Sequence, residues 1–366
     1  MALKLDRMVL QGFKSIRSMD LAFGELNLLI GPNGAGKSNL IGFFRFMHNV
    51  LNKDMQFHVS RQGGAERLLH FGSKITDSIF TEFDFGPFSY SFSLVPSLNG
   101  DLVFEWETCS ERSPDPQSAE PLWIHTLVRG GAKESGLPRP GNLGDDAPDH
   151  VLLTMSGWIV YHFHDTGDTA AVKKPCNIHD NAWLHPDAGN LAAFLHLIRQ
   201  EDVAAYADIV ETVRRIAPFF HDFVLEPDRL APDQIRLRWK HRGTDAYFDA
   251  NDLSDGTLRF IALATLLLQP DPAPSILIDE PELGLHPHAI ELLGGMMRSA
   301  STRTQIIAST QSVTLANQIP WRDLIIVDRV DEASVFRRLT EAEVEPWLDA
   351  YGPGDLWRKN LIGGTP

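Results

Sequence analysis

Cysteine is nearly absent from this chain. Cys109 and Cys176 are the two in 366 residues, and they form no CxxC pair. Their scarcity argues against a disulfide framework or a zinc knuckle and fits a reducing compartment. Long apolar runs are also missing. The longest, around Ile261–Leu268, falls far short of the roughly 20 residues that span a bilayer. The opening Met1-Ala2-Leu3-Lys4-Leu5-Asp6 has no apolar stretch and no cleavage site, so the expectation is a cytoplasmic protein with no secretion signal and no membrane partner. Positive charge is in deficit: 33 Lys and Arg stand against 48 Asp and Glu, a net charge of −15. Such a chain is a poor general ligand for polyanions, although a local basic groove is compatible with it. There is no internal repeat and no sustained heptad, which argues against a long coiled coil. The chain does have apolar mass, 43% of its residues, enough for one large core or two smaller ones.

Residues 31–38 read Gly-Pro-Asn-Gly-Ala-Gly-Lys-Ser and match the phosphate-binding pattern G-x-x-x-x-G-K-[ST] at every fixed position. The apolar run Leu26–Ile30 predicts a buried strand before it, and Asn39 to about Leu51 predicts a helix after it. In that context the N–H groups of Asn33, Gly34, Ala35, Gly36, Lys37 and Ser38 can wrap a phosphate at a helix start. Gly34 and Gly36 supply the positive φ such a wrap needs. Lys37 would neutralise the β- and γ-phosphates of ATP, and Ser38 would offer its hydroxyl to Mg²⁺.

A second motif lies far along the chain. Ile276-Leu277-Ile278-Asp279-Glu280 is an apolar strand ending in two carboxylates. Asp279 would hold the metal, and Glu280 would orient or deprotonate an attacking water. About 25 residues upstream, Leu253-Ser254-Asp255-Gly256-Thr257 opens an apolar helix. A serine hydroxyl and free N–H groups at a helix start suit an anion. Lys37 serves its own phosphate, so Ser254 and Gly256 make sense over the γ-phosphate of a second copy.

The rest predicts an α/β protein. Aromatics from Phe80 to Leu94 recur near period two, and Leu102–Trp106 follows the turn Asn99-Gly100, as in an antiparallel meander. Residues 111–149 read as loops around one strand, Leu122–Val128. Helices are expected at Leu191–Ile198, Val203–Ile216, Thr257–Leu268 and His288–Arg298. Strands are expected at residues 3–10, Ile235–Trp239, Tyr247–Phe248, Ser275–Asp279, Gln305–Ala308 and Leu324–Val327. This alternation implies a mixed or parallel core sheet. The expected division is a discontinuous nucleotide-binding lobe, 1–54 plus 255–366, with 55–254 inserted as an α+β lobe.

Gly31–Asn39, Leu253–Arg259, Ile276–Glu282 and Gly284-Leu285-His286-Pro287 together resemble the RecF/SMC branch of the ABC-type ATPases. Gly12-Phe13-Lys14-Ser15-Ile16 resembles the segment that lies beside the adenine there. Gly354-Asp355-Leu356-Trp357 with Ile362-Gly363-Gly364 is similar to a short stand-alone bacterial subgroup. The resemblance implies an ABC-type P-loop head, ATP hydrolysis and an ATP-sandwiched homodimer, with Glu282–His286 crossing the dimer interface; a departure from the family pattern at Gln311 makes slow turnover the expectation. The resemblance also implies a nuclease-like effector subunit, in antiphage defence or DNA repair. Where relatives carry a histidine against the γ-phosphate, this chain has Gln311, which cannot carry a proton. Gln62 is a candidate for the glutamine that joins the two lobes. The alternative reading is a DNA-binding repair clamp, for which Arg236, Arg238, Lys240, His241 and Arg242 form the dense basic strip. His162, His164 and Asp165, and His179, Asp180 and His185, contain metal-ligand types but read as structural or surface residues.

Overall fold

The computed structural model describes residues 3–112, 121–137, 147–347 and 349–364. Its centre is set by alternation along buried strands. In β3 (Leu26–Ile30) every residue is buried, with Leu28 and Ile30 facing one core and Leu29 the other. A strand apolar on both faces belongs inside a parallel sheet covered on both sides. Here β3 lies between β10 (Gln305–Thr310) and β11 (Leu324–Val330), parallel to both. The sheet continues through β9 (Ser275–Asp279) to the short edge strand β8 (Val160–Tyr161), and β12 (Ala333–Arg338) adds the single antiparallel pairing at the other edge.

A second sheet is antiparallel throughout. In spatial order it runs β2 (Ile16–Ala22), β1 (Arg7–Phe13), β4 (Ile79–Phe85), β5 (Phe88–Pro96), β6 (Leu102–Glu111) and β7 (Trp123–Ala132). The long helix α1 (Lys37–Leu51) buries Leu40, Phe43, Phe44, Phe46, Met47 and Val50. Phe43 packs edge-on against Phe13 of β1, with ring centroids 4.9 Å apart, and Phe44 meets Trp158 at 4.9 Å. One apolar core thus joins both sheets through α1. The other face of the parallel sheet is covered by α2 (Asp255–Leu268) and α3 (Pro287–Ala300), with helices Leu191–Glu201 and Val203–Ile216 beyond.

Strand pairing crosses the lobe boundary drawn from the sequence. β1 and β2, assigned to the nucleotide lobe, hydrogen-bond into the meander sheet, and β8, assigned to the insertion, joins the parallel one. The physical reason is that strand alternation marks a buried face without saying which sheet the strand joins, and the backbone hydrogen bonds of β1 go to β2 and β4. The first strand was expected at residues 3–10 and lies at Arg7–Phe13. Helix Ala147–Ser156 stands at the end of a stretch read as loops. Residues 113–116 and 138–141 of that stretch lie outside the described residues. Among the described residues, no helix is long and apolar enough to cross a membrane.

Trp158 is fully buried against Phe44, Phe83 and Phe85, where α1 meets the antiparallel sheet. Trp158→Ala is expected to cost about 3–5 kcal/mol, read as a lowered denaturant midpoint. Leu98→Ala, fully exposed on a hairpin turn, should stay within about 0.5 kcal/mol of wild type.

Candidate functional site

β3 runs directly into the glycine-rich loop, and α1 starts at Lys37. Gly36 has φ 116°, and a Cβ there would lie 2.0 Å from Ser334 Oγ, so only glycine fits. The loop is braced from outside. Asn39 Nδ2 donates to Ser15 Oγ (2.6 Å), Ser15 and Ser334 share a hydroxyl hydrogen bond (2.6 Å), and Ser334 Oγ donates to the Ala35 carbonyl. Asn33 and Gly34 are exposed at the tip, while Ala35 is buried. The Lys37 side chain is buried and donates to the carbonyls of Gly31 (2.6 Å) and Pro32 (3.0 Å). Burial pushes its ammonium below the usual lysine range, and the charges of Glu280, Glu282 and Asp279 oppose that shift.

Those three carboxylates stand at the end of β9. Asp279 lies opposite Ser309 in register, and the Ser309 hydroxyl donates to its Oδ1. Glu280 follows at φ 47°, a left-handed conformation costly for a side chain. It is held there by its N–H to the Ser309 carbonyl (3.1 Å) and by Gln311 Nε2, which donates to Oε1. Gln311 also donates its backbone N–H to Glu282 Oε1 (2.8 Å). Glu282 Oε2 is buried with no direct hydrogen-bond partner. Desolvation pushes this carboxyl above the ordinary range, against the pull of the nearby Thr310 hydroxyl and the Gln311 N–H. Ser38 is exposed in the first turn of α1. Its hydroxyl and the Asp279 carboxylate are hard oxygen donors, the type that suits Mg²⁺.

Ser254 caps α2, with Oγ accepting from the Thr257 N–H (3.2 Å), and is exposed. A Cβ on Gly256 would lie 2.7 Å from the Gly284 carbonyl, so the turn packs against the loop that follows Glu280. Arg259 fastens this junction. Its guanidinium donates to the carbonyls of Phe163 (3.1 Å), His164 (2.8 Å) and Leu283 (3.0 Å). His164 Nε2 in turn lies 3.1 Å from the Asp279 carbonyl.

Other expectations sort as follows. Phe13 is buried against Phe43 and Phe46, so its ring is core and not a base-stacking surface. Lys14 has φ 48° and reaches Gln62 Oε1 at 3.5 Å, which links Gln62 to the Phe13–Ser15 turn. His185 pairs with Asp180 (3.1 Å), and no metal-ligand cluster occurs among the described residues. Arg236, Arg238 and Lys240 alternate with buried Leu237 and Trp239, but Arg238 is bonded to the Glu226 carbonyl and Lys240 lies over the Tyr247 ring.

A family profile described as "AAA domain, putative AbiEii toxin, Type IV TA system" matches residues 26–121 and 168–317, more than half of the chain. The chain belongs to this AAA-domain family. It is 22% identical over 363 aligned residues to an OLD nuclease of Thermus scotoductus, covering 90% of this chain and 63% of that protein. A 40-residue stretch is 52% identical to the DNA replication and repair protein RecF of Magnetococcus marinus, 11% of this chain and 10% of that one. The chain therefore spans less than two thirds of the curated relatives it matches. Among the solved structures that share its fold are two SMC heads. One is an SMC head bound to the C-winged helix domain of ScpA (TM-score 0.61, 17% identity, 94% of this chain and 99% of that one). The other is an SMC head with an extended coiled coil bound to the C-terminal domain of ScpA, from Pyrococcus furiosus (TM-score 0.60, 14% identity, 94% and 98%). The fold is the ABC-type P-loop head of the RecF/SMC class.

Ser309 reaches Asp279 through the sheet register, Ser334 reaches the glycine-rich loop from the edge strand, and Arg259 reaches its carbonyls from the helix after Ser254. Of these, Ser334 alone lay outside every stretch singled out in the sequence. Glu282 yields a pH test. Its raised folded value means the proton is held more tightly in the folded chain. The stability it contributes is complete below the ordinary carboxylate range and is lost as pH rises through the folded value. Glu282→Gln stays neutral and still accepts from Gln311. It should raise the melting temperature at alkaline pH, where the wild-type carboxyl must ionise in its buried site, and leave it nearly unchanged at the acid end of the carboxylate range.

Proposed function

We propose that this chain binds Mg²⁺–ATP at Gly31–Asn39, hydrolyses it slowly, and uses it to close two copies head to head. Each ATP would lie between one copy's phosphate loop and the Ser254 turn of the other. The observation that carries this reading is the physical link between the two half-sites. Gly256 touches Gly284, Arg259 holds Leu283, and that loop continues directly from Asp279 and Glu280.

Lys37 and the N–H groups of residues 33–38 hold the β- and γ-phosphates. Mg²⁺, held by Ser38 and Asp279, supplies neutralisation of phosphate charge. Lys14 and Ser15 lie at the nucleoside end. Glu280 orients a water and accepts its proton. The water oxygen bonds to the γ-phosphorus as the bond to the β,γ-bridging oxygen breaks, giving ADP and phosphate. Gln311 fixes Glu280 but cannot relay a proton, which supports slow turnover. Closing and opening would be the output, since phosphate contacts made only in the closed pair bias that state. We infer a nuclease-type effector subunit, in antiphage defence or DNA repair, from the OLD nuclease and RecF likenesses.

With ATP and Mg²⁺, Glu280→Gln should sediment as a dimer and release phosphate at least about 100-fold more slowly than wild type. Monomers for both proteins at saturating nucleotide would contradict the clamp.

A further inference from the structure

The phosphate loop has a second, cationic neighbour. A cavity of about 550 Å³ is lined on one side by Gly31–Asn33 and Gln311 and on the other by Trp357–Asn360. The latter residues belong to an arch anchored at both ends. At one end, Asn317, in the helix following Gln311, exchanges two hydrogen bonds with Asp355 (3.1 and 3.2 Å). At the other, the Gly364 N–H donates to Asp328 Oδ1 on β11 (2.8 Å), and Arg337 of β12 donates to the Ile362 carbonyl (2.6 Å). Between them Trp357 is buried and donates its indole N–H to the Gly364 carbonyl. The backbone is thus fixed, whereas its two cations are held only at the surface. Arg358 pairs with Asp355 (2.8 Å) with 65% of its side chain exposed, and Lys359 lies 4.7 Å from the centre of the Tyr351 ring. Contacts of this kind contribute little and exchange readily.

Charge supplies the reason for such an arch. Lys37 already faces Asp279, Glu280 and Glu282. A triphosphate adds further negative charge on the same side, and Gln311, which faces it there, is neutral. We propose that Arg358 and Lys359 are binding residues for the terminal phosphate of the nucleotide, swinging from Asp355 and Tyr351 to form charge-assisted hydrogen bonds with it. This rests on the nucleotide-binding reading above and extends the site to a segment outside the glycine-rich loop.

The test compares wild type, Arg358→Gln/Lys359→Gln and Lys37→Ala by calorimetric titration with Mg²⁺–ATP and Mg²⁺–ADP, and by sedimentation. The double variant is expected to weaken ATP binding roughly tenfold while ADP affinity stays within about twofold. Retained ADP binding also reports an intact fold. Unchanged ATP affinity, or an equal loss for ATP and ADP, overturns the proposal. So does retained ATP affinity with lost nucleotide-dependent dimerisation, which would make the arch a contact between copies. Loss of both nucleotides in Lys37→Ala but no change in the double variant would leave the nucleotide site standing and the arch without a role. Wild-type protein that binds neither nucleotide would sink the underlying reading.

Discussion

A buried ammonium faced by three carboxylates is the constraint on which this site depends. Lys37 gives up solvent and is held by two carbonyls of its own loop, in the field of Asp279, Glu280 and Glu282. An ammonium taken out of water is tolerated only where such partners are fixed. Fixing them requires β3 and β9 to end together, which the parallel register through Ser309 achieves. It also requires the loop to stay open, which the Ser15–Ser334–Asn39 brace ensures from the outer edge.

The surrounding architecture extends that constraint. The antiparallel sheet and the parallel sheet meet across α1, the helix that begins at Lys37. The glycine-rich loop is therefore packed, through α1, against the sheet whose β1–β2 turn carries Lys14 and Ser15. On the other side, Arg259 ties the α2 turn to the loop after Glu280 and to the segment bearing His164. The carboxylates thus lie between the glycine-rich loop and the loop that packs against the Ser254 turn. Under the proposed clamp, that link would let a bound nucleotide report its state to a second copy.

Much of this was legible in the sequence. The strands Leu26–Ile30 and Ser275–Asp279 and the helix Val203–Ile216 stand where periodicity put them, because each is bounded by a strong signal: Gly31, the paired carboxylates, and Pro218. Local pattern could not show which sheet a strand joins. The β1 strand alternates equally well for either, and only its hydrogen bonds to β4 decide. The two-residue β8 carries too little pattern to be seen at all. Ser334 and Ser309 are ordinary serines in sequence, and they matter because register brings them beside Gly36 and Asp279. Phe13 read as part of a nucleotide motif, yet its ring fills the core. Of the arch, Gly354–Trp357 and Ile362–Gly364 are legible only as a resemblance and Arg358–Asn360 not at all, since its closeness to Gly31 arises from packing between residues more than 300 positions apart.

The central claim is that one copy's glycine-rich loop and another's Ser254 turn enclose the same nucleotide. Its most direct measurement is site-specific cross-linking between copies. Protein carrying Asn33→Cys is mixed with differently tagged protein carrying Ser254→Cys, both in a Cys176→Ser background, and treated with a short bifunctional maleimide. The account predicts a covalent mixed dimer that forms with ATP and Mg²⁺ and is absent without nucleotide. A mixed dimer of equal yield without ATP, or none with ATP although both cysteines react, would contradict it.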